Sequence, residues 1–195
     1  MKNLYLTLSV LFLIYWGCED KDTPPTEVTL WGVVYSVEDT DTLNLGWNGL
    51  TGSIPPEIGN LTNLTWLSLN DNQLTGSIPP EIVNLTNLTS LNLGDNQLTG
   101  SIPPEIGNLI NMTELSLWGN QLTGSIPPEI WNMTNLISLN LSDNQLTGVI
   151  PESICNLNIY LSLSDYFLIT NNQFCPPYPS CIEDYVGDQD TTNCN

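Results

Sequence analysis

Residues 50–73 read LTGSIPPEIGNLTNLTWLSLNDNQ, and the same stretch restarts at Leu74, Leu98 and Leu122 with a spacing of 24 residues and no gaps. Leu146 opens a fifth, diverging copy. A fixed period in the twenties marks a solenoid, in which each unit buries its apolar face only against its neighbours. Within the unit, period-2 alternation turns Leu67 and Leu69 inward and leaves Trp66, Ser68 and Asn70 on the exposed face of a short strand. The same pattern predicts six strands, centred near Asn44, Ser68, Asn92, Ser116, Asn140 and Leu168. Stacked in parallel about 4.8 Å apart, they form a concave sheet. The IPPEI segment suits neither a strand nor a long helix, because paired prolines fix φ, remove donors and bias the preceding residue to extended conformations. It predicts short 3₁₀-like turns on the convex side.

The columns Leu61, Leu64, Leu67, Leu69, Asn72, Leu74, Gly76, Ile78, Pro79 and Ile82 resemble the leucine-rich repeat. Their T-G-x-I-P half resembles the plant-type subclass found in receptor ectodomains and polygalacturonase-inhibiting proteins. The resemblance runs from about residue 31 to residue 181. It implies an α/β-type solenoid with a parallel concave sheet of about six strands, a convex side of 3₁₀ or irregular turns, and a cap at each end. It implies a scaffold for binding and no shared chemistry. Trp31-Gly32-Val33 with Tyr35 resembles the W-x-G-V segment of plant repeat caps, with Tyr35-Ser36 where that family places a cysteine. A disulfide-free N-terminal cap is therefore expected, with Trp31 and Tyr35 plugging the core. NNQFCPPYPSC at 171–181 resembles the family's cysteine-containing ending. That resemblance implies Cys175–Cys181, leaving Cys155–Cys194; Cys155–Cys175 with Cys181–Cys194 is the open alternative among the pairings four cysteines allow.

The chain carries 21 acidic residues against Lys2 and Lys21, with no Arg and no His. Such a surface repels phosphate backbones, so nucleic acid is excluded as a partner, and no polybasic handle serves an anionic membrane. Ser/His/Asp and Cys/His catalysis is excluded by composition. Paired carboxylates recur along every coil, so none stands out as an acid/base couple, and no nucleotide motif appears. Neither an enzyme, a cofactor nor a metal is expected. A zinc site lacks histidine, and the cysteines do not fall at C-x₂-C spacing.

At the N-terminus, Lys2 precedes an apolar run from Leu4 to Trp16, which is short for a membrane span and fits a signal peptide. Gly17-Cys18 then resembles a bacterial lipoprotein signal, with Cys18 lipidated, although Tyr15 and Trp16 depart from its usual residues. Four of the five cysteines lie at 155–194, so lipidation also accounts for the odd one. Ordinary secretion and an uncleaved anchor are the alternatives. Disulfides imply an oxidising compartment. The expected organisation is a signal peptide at 1–17, a tether at 18–27, an N-terminal cap at 28–41, and repeats at 42–157. The last repeat and the disulfide-containing cap take 158–195, with four residues inserted within 158–166. A monomer at the outer membrane or cell surface is expected.

Residue columns separate scaffold from candidate site. Asn48, Asn72, Asn96, Asn120, Asn144 and Asn172 read as buried amides that satisfy the corner of each coil. The glycines from Gly52 to Gly148 read as backbone requirements. Seven N-x-S/T triplets are by-products of the repeat. The exposed concave positions are the informative ones: Trp47, Trp66, Asn70, Asp71, Asn92, Asp95, Glu114, Trp118, Asn140 and Asp143 form the candidate ligand face. Exposed tryptophans among Asn, Ser and acids suit a protein or glycan ligand; packing on one another is the competing role. Trp131 falls on the convex side, outside this face.

Two acidic columns, Glu57/Glu81/Glu105/Glu129 and Asp71/Asp95/Asp143, repel by about 0.8 kcal/mol per pair at roughly 5 Å even in water. Bound Ca²⁺ relieves such repulsion, so a surface-coat role assisted by calcium is the alternative function. The threonine column Thr51, Thr75, Thr99, Thr123 and Thr147 belongs to the T-G-x-I-P turn. It also resembles ice-binding ladders of other solenoids, a remote third reading.

Overall fold

The computed structural model describes residues 25–161 and 166–194. The signal-like run, Cys18 and the tether up to residue 24 lie outside these residues, as do 162–165 of the inserted segment. Six short strands, Thr42–Asn44, Trp66–Ser68, Ser90–Asn92, Glu114–Ser116, Ser138–Asn140 and Phe167–Leu168, stack in parallel in chain order. They are the six strands expected from the alternation. Their inward leucines meet the turn residues of the same coil. In the second coil Leu67, Leu69, Leu74, Ile82, Leu85 and Leu88 are fully buried. Burying each such side chain is worth about 1.5–3 kcal/mol.

The convex side consists of 3₁₀ turns at Pro56–Asn60, Pro80–Asn84, Pro104–Asn108, Pro128–Asn132 and Glu152–Asn156. In the first four, proline opens the turn, where its missing N–H costs nothing. The described residues contain no α-helix; the helical layer of this solenoid is 3₁₀ throughout.

A second six-stranded parallel sheet was not anticipated. It is built from Thr51–Ser53, Gln73–Gly76, Gln97–Ser101, Gln121–Ser125, Gln145–Val149 and Gln173–Cys175. The T-G-S segment is thus a strand rather than a turn, held by pairing with its counterparts in the next coils. Gly76 and its equivalents stand at φ between +76° and +94° within it, where a side chain is strained. Thr123 pairs with Gln145, but Thr147 pairs with Gln173, four residues further round the coil. The four-residue insertion in the last repeat is therefore real.

Neighbouring coils approach closely at four glycines. A Cβ on Gly59 would stand 2.3 Å from the Glu81 carbonyl oxygen, and one on Gly107 would stand 2.3 Å from the Glu129 Cβ. On the concave side, a Cβ on Gly46 would meet Asn70 Oδ1 at 2.7 Å, and one on Gly94 would meet Trp118 Nε1 at 2.1 Å.

The N-terminal cap is an antiparallel hairpin, Glu27–Leu30 with Val33–Ser36. Trp31 and Gly32 form its two-residue turn at φ +46° and +83°, both left-handed as the twist of a tight hairpin favours. The plug is Val28 and Leu30, which are buried. Trp31 and Tyr35, expected to fill that role, pack half-buried against the edge of the core, because the turn takes Trp31 away from the inward face.

The disulfides correct the expectation. Cys155 joins Cys181 and Cys175 joins Cys194, with Cα separations of 5.9 and 5.5 Å. Neither Cys175–Cys181 with Cys155–Cys194 nor Cys155–Cys175 with Cys181–Cys194 forms. Cys155 sits in the last convex 3₁₀ turn, whereas Cys175 ends the last strand of the second sheet. The proline-rich segment 176–180 carries the chain from the sheet to the convex turn, so Cys181 arrives at Cys155. Cys175 is left to meet the returning C-terminus at Cys194.

From Asn72 onward the asparagine column behaves as the scaffold reading requires; Asn48, with no repeat coil before it, is exposed and its side chain donates to the Gly46 carbonyl. Asn120 Oδ1 accepts from the Leu98 N–H, and its Nδ2 donates to the carbonyls of Leu93, Leu117 and Trp118. Asn72, Asn96, Asn144 and Asn172 repeat the pattern. Gln189 in the C-terminal cap supplies the terminal rung. Its Oε1 accepts from Phe174 N–H and its Nε2 donates to the Ile169 carbonyl. A second ladder of asparagines runs along the coils, with Asn63, Asn87 and Asn111 in N-x-T triplets and Asn135 and Asn158 outside them. Asn63, Asn87, Asn111, Asn135 and Asn158 each donate to a carbonyl of the preceding coil. Thr65, Thr89 and Thr113 donate likewise.

Candidate functional site: the concave face

Each inner strand offers three outward positions and then a corner residue. Register aligns Thr42, Trp66, Ser90, Glu114 and Ser138 in the first column. Asn44, Ser68, Asn92, Ser116 and Asn140 fill the second. Gly46, Asn70, Gly94, Trp118 and Ser142 follow in the third. The face is less uniformly exposed than alternation suggests: Ser68, Ser90 and Ser142 are only 3%, 8% and 5% exposed. Larger side chains of adjacent coils shield them. Ser90 Oγ, for example, donates to Glu114 Oε2 at 3.1 Å from the next coil.

The corner column is Trp47, Asp71, Asp95, Gly119, Asp143 and Asn171, and every member has φ between +49° and +62°. Asp, Asn and Gly tolerate this left-handed region. Alternation alone treats Asp71, Asp95 and Asp143 as ligand-face residues; the left-handed backbone also selects their type. Trp47 is different. It is a bulky residue in a left-handed position, and it is 79% exposed. Neither packing nor backbone geometry accounts for it.

The tryptophans occupy three different columns. Trp66 is half-buried in the first, Trp118 lies over Gly94 in the third, and Trp47 stands at the corner. Among the described residues the aromatic ring pair is Tyr160 with Tyr166, at the far end of the array; the tryptophans do not stack on one another. Trp131 is buried in its convex turn.

Among the acids, Asn70 Nδ2 donates to Asp71 Oδ2 and Asn171 Nδ2 donates to Asp143 Oδ1. Asp95 is raised above its ordinary value of 3.8, first by partial desolvation and then by the hydrogen bond and charge of Asp71 beside it. The described residues hold no Lys, Arg or His, so nothing in the fold neutralises these carboxylates. No group of three or more His, Cys, Asp or Glu among the described residues converges to hold a metal ion. No helix among them is long and apolar enough to cross a membrane.

No curated protein sequence matches the chain. Solved structures do. The ectodomain of the Arabidopsis thaliana receptor kinase GASSHO1/SCHENGEN3, in complex with CASPARIAN STRIP INTEGRITY FACTOR 2, is 37% identical with a TM-score of 0.64. The match covers 71% of this chain and 16% of that one. The plant peptide hormone receptor RGFR1, in complex with RGF2, is 43% identical over 64% of this chain and 19% of its own, with a TM-score of 0.59. A plant ice-binding protein is 34% identical over 69% of this chain and 42% of its own, with a TM-score of 0.58. The chain thus spans less than half the length of each of these neighbours. Residues 43–173 match the family described as Leucine-rich repeat region. With both sheets, the asparagine ladder and the family match in agreement, the chain belongs to the leucine-rich repeat family.

Proposed function

We propose that this protein is a non-catalytic, extracytoplasmic binding module that presents its concave face to a protein or glycan ligand. Trp47 carries the reading: a left-handed backbone costs a bulky residue of order 1 kcal/mol, and its ring is given to solvent. Trp66 and Trp118 extend the same face. The receptor ectodomains it resembles, solved with peptide ligands, support a protein or peptide as the occupant. The two disulfides fit an oxidising compartment. Together with the signal-like N-terminus they support export, with lipidation at Cys18 as the anchor.

The test exploits opposed effects. Trp47→Gly relieves the backbone and raises stability by about 1 kcal/mol, or roughly 2–4 °C in Tm. The same change, alone or with Trp66→Ala, lowers capture of surface proteins and glycans in a binding screen. Unchanged capture by the folded variants rejects the concave face as the site.

A second reading, ice binding, draws on the second sheet. None of its strands carries a charged residue, and Thr51, Thr75, Thr99, Thr123 and Thr147 are all exposed along it. Their spacing is that of a parallel sheet, about 4.8 Å. One of the structural neighbours is an ice-binding protein. Thermal hysteresis that disappears in Thr99→Lys/Thr123→Lys is the expected signature. A wild-type solution without hysteresis removes this reading.

A further inference from the structure

We infer that the tip of the N-terminal hairpin, Trp31 with Val33 and Val34, docks into the interfacial layer of a lipid bilayer and stands the array on its first coil. The inference rests on the proposed export and lipidation at Cys18, and it adds a second membrane contact beside that anchor.

The hairpin is sorted along its length. Residues 28–37, VTLWGVVYSV, carry no charge in a chain with 21 acidic residues. The neighbouring acids Glu27, Glu38 and Asp39 sit at its open end, where Glu27 pairs with Ser36. The closed end is the Trp31-Gly32 turn, four residues or about 13 Å away. The inner strand, Glu27–Leu30, packs on the Pro56–Asn60 turn and buries Val28 and Leu30. Among the described residues the outer strand, Val33–Ser36, pairs with that strand alone. Its first two residues stand in solvent, Val33 at 53% and Val34 at 58% exposed. A Cβ on Gly32 would meet nothing within 4 Å, so the turn projects clear of the array. Val33 lies opposite Leu30 and Val34 opposite Thr29, which makes both faces of the tip apolar. The scaffold asks for neither valine, because Val28 and Leu30 already plug the core.

The chain before the hairpin selects the occupant. Seven residues, 18–24, separate Cys18 from Pro25, and fully extended they reach about 25 Å. The hairpin is about half that long, so a lipid on Cys18 leaves the tip within reach of the same bilayer. Two valines and a half-buried indole bind a membrane weakly by themselves. A short tether raises their effective concentration to the order of millimolar, and stable anchoring calls for a second signal beside one acyl chain. An indole suits the interfacial level, where one end meets acyl chains and the other meets water. The unpaired edge of the outer strand finds headgroup and water partners at that depth. The acids at the base stay about 13 Å back, beyond the Debye length of about 8 Å at physiological salt. A second copy is the poorer occupant, since it brings the same acids and no cation near them. With the tip down, five coil spacings of about 4.8 Å carry the disulfide cap roughly 25 Å out from the surface.

Vesicles of brominated phosphatidylcholine carrying the exported, lipidated protein provide the test. Of six tryptophans, Trp16 leaves with the signal peptide and five remain. Trp31 alone is expected at bilayer depth, so brominated lipid should quench about a fifth of the emission relative to unbrominated vesicles. Val33→Asp/Val34→Asp should abolish that quenching while the protein still floats with the vesicles and melts as the wild type does. Trp31→Phe should abolish it as well. Quenching that survives either variant, or none in the vesicle-bound wild type, overturns the docking and leaves the lipidation standing. A dimer in sedimentation velocity that the two aspartates disrupt, in place of quenching, makes a second copy the occupant and overturns the bilayer. An N-terminal peptide without lipid on Cys18 overturns the anchor, and this inference with it.

Discussion

Replacing Asn120 with alanine is expected to lower stability by about 3–5 kcal/mol, or roughly 10 °C in Tm. One buried side chain satisfies four backbone groups: the Leu98 N–H at 3.0 Å and the carbonyls of Leu93, Leu117 and Trp118 at 3.1 Å each. These belong to two adjacent coils, so the loss is felt at the joint between them. Each buried polar group left alone costs about 1–3 kcal/mol, and the carbonyls recover part of that by local relaxation. Asn120→Asp keeps the acceptor but sets a carboxylate against three carbonyl oxygens, so it costs at least as much. Asn48→Ala is the internal control. Asn48 is exposed at the first coil, and its side chain donates only to the Gly46 carbonyl. Its loss should cost about 1 kcal/mol or less. Equal melting shifts for the two alanine variants, followed by circular dichroism, would mean that the ladder does not hold the coils together.

The second large effect lies at the C-terminal cap. Cys155→Ser/Cys181→Ser should cost about 3.5 kcal/mol on the chain-entropy model, since the bond spans 26 residues. The cap should open before the array melts, because the removed bond ties its proline-rich segment to the last convex turn. Limited proteolysis is expected to cut within 157–161, next to the released Cys155 turn, more readily in the variant than in the native protein. Cys175→Ser/Cys194→Ser, spanning 19 residues, should cost about 3 kcal/mol and free only the final segment. Peptide mapping without reduction checks the pairing directly, and recovery of a 175–181 linked peptide would contradict it.

The fold was legible where one coil dictates its own structure. Leu67 and Leu69 alternate with polar residues, and Pro79-Pro80 forbid regular structure, so the inner strands and convex turns could be read from any single repeat. What escaped reading depends on the neighbour. Thr75-Gly76 has no apolar alternation, and only the adjacent identical segments make it a strand. Ser90 looks exposed by alternation, but Glu114 from the next coil covers it. The aspartates at 71, 95 and 143 looked like freely chosen surface residues because a left-handed φ leaves no mark on a sequence except the preference for Asp, Asn and Gly. That column could have revealed it: its members are Asp, Gly or Asn, with Trp47 the exception. The disulfide pairing depended on where the proline-rich segment 176–180 carries Cys181, which spacing does not encode.

The close approaches at Gly46, Gly59, Gly94 and Gly107 imply that this array counts in twos. Both glycine pairs belong to the first and third coils, and both are met by bulk from the second and fourth. At the next joint the same column holds Val83 and then Trp131, so coils with a glycine on the convex side alternate with coils that carry a side chain there. Excising residues 90–113 would leave Trp118 facing Asn70, with no glycine to receive its ring. Excising 66–113 would instead let Gly46 receive Trp118 and Gly59 receive the turn of Glu129. The interchangeable module of this protein is a pair of coils, and excision of a whole pair keeps every close glycine joint matched to the bulk it receives.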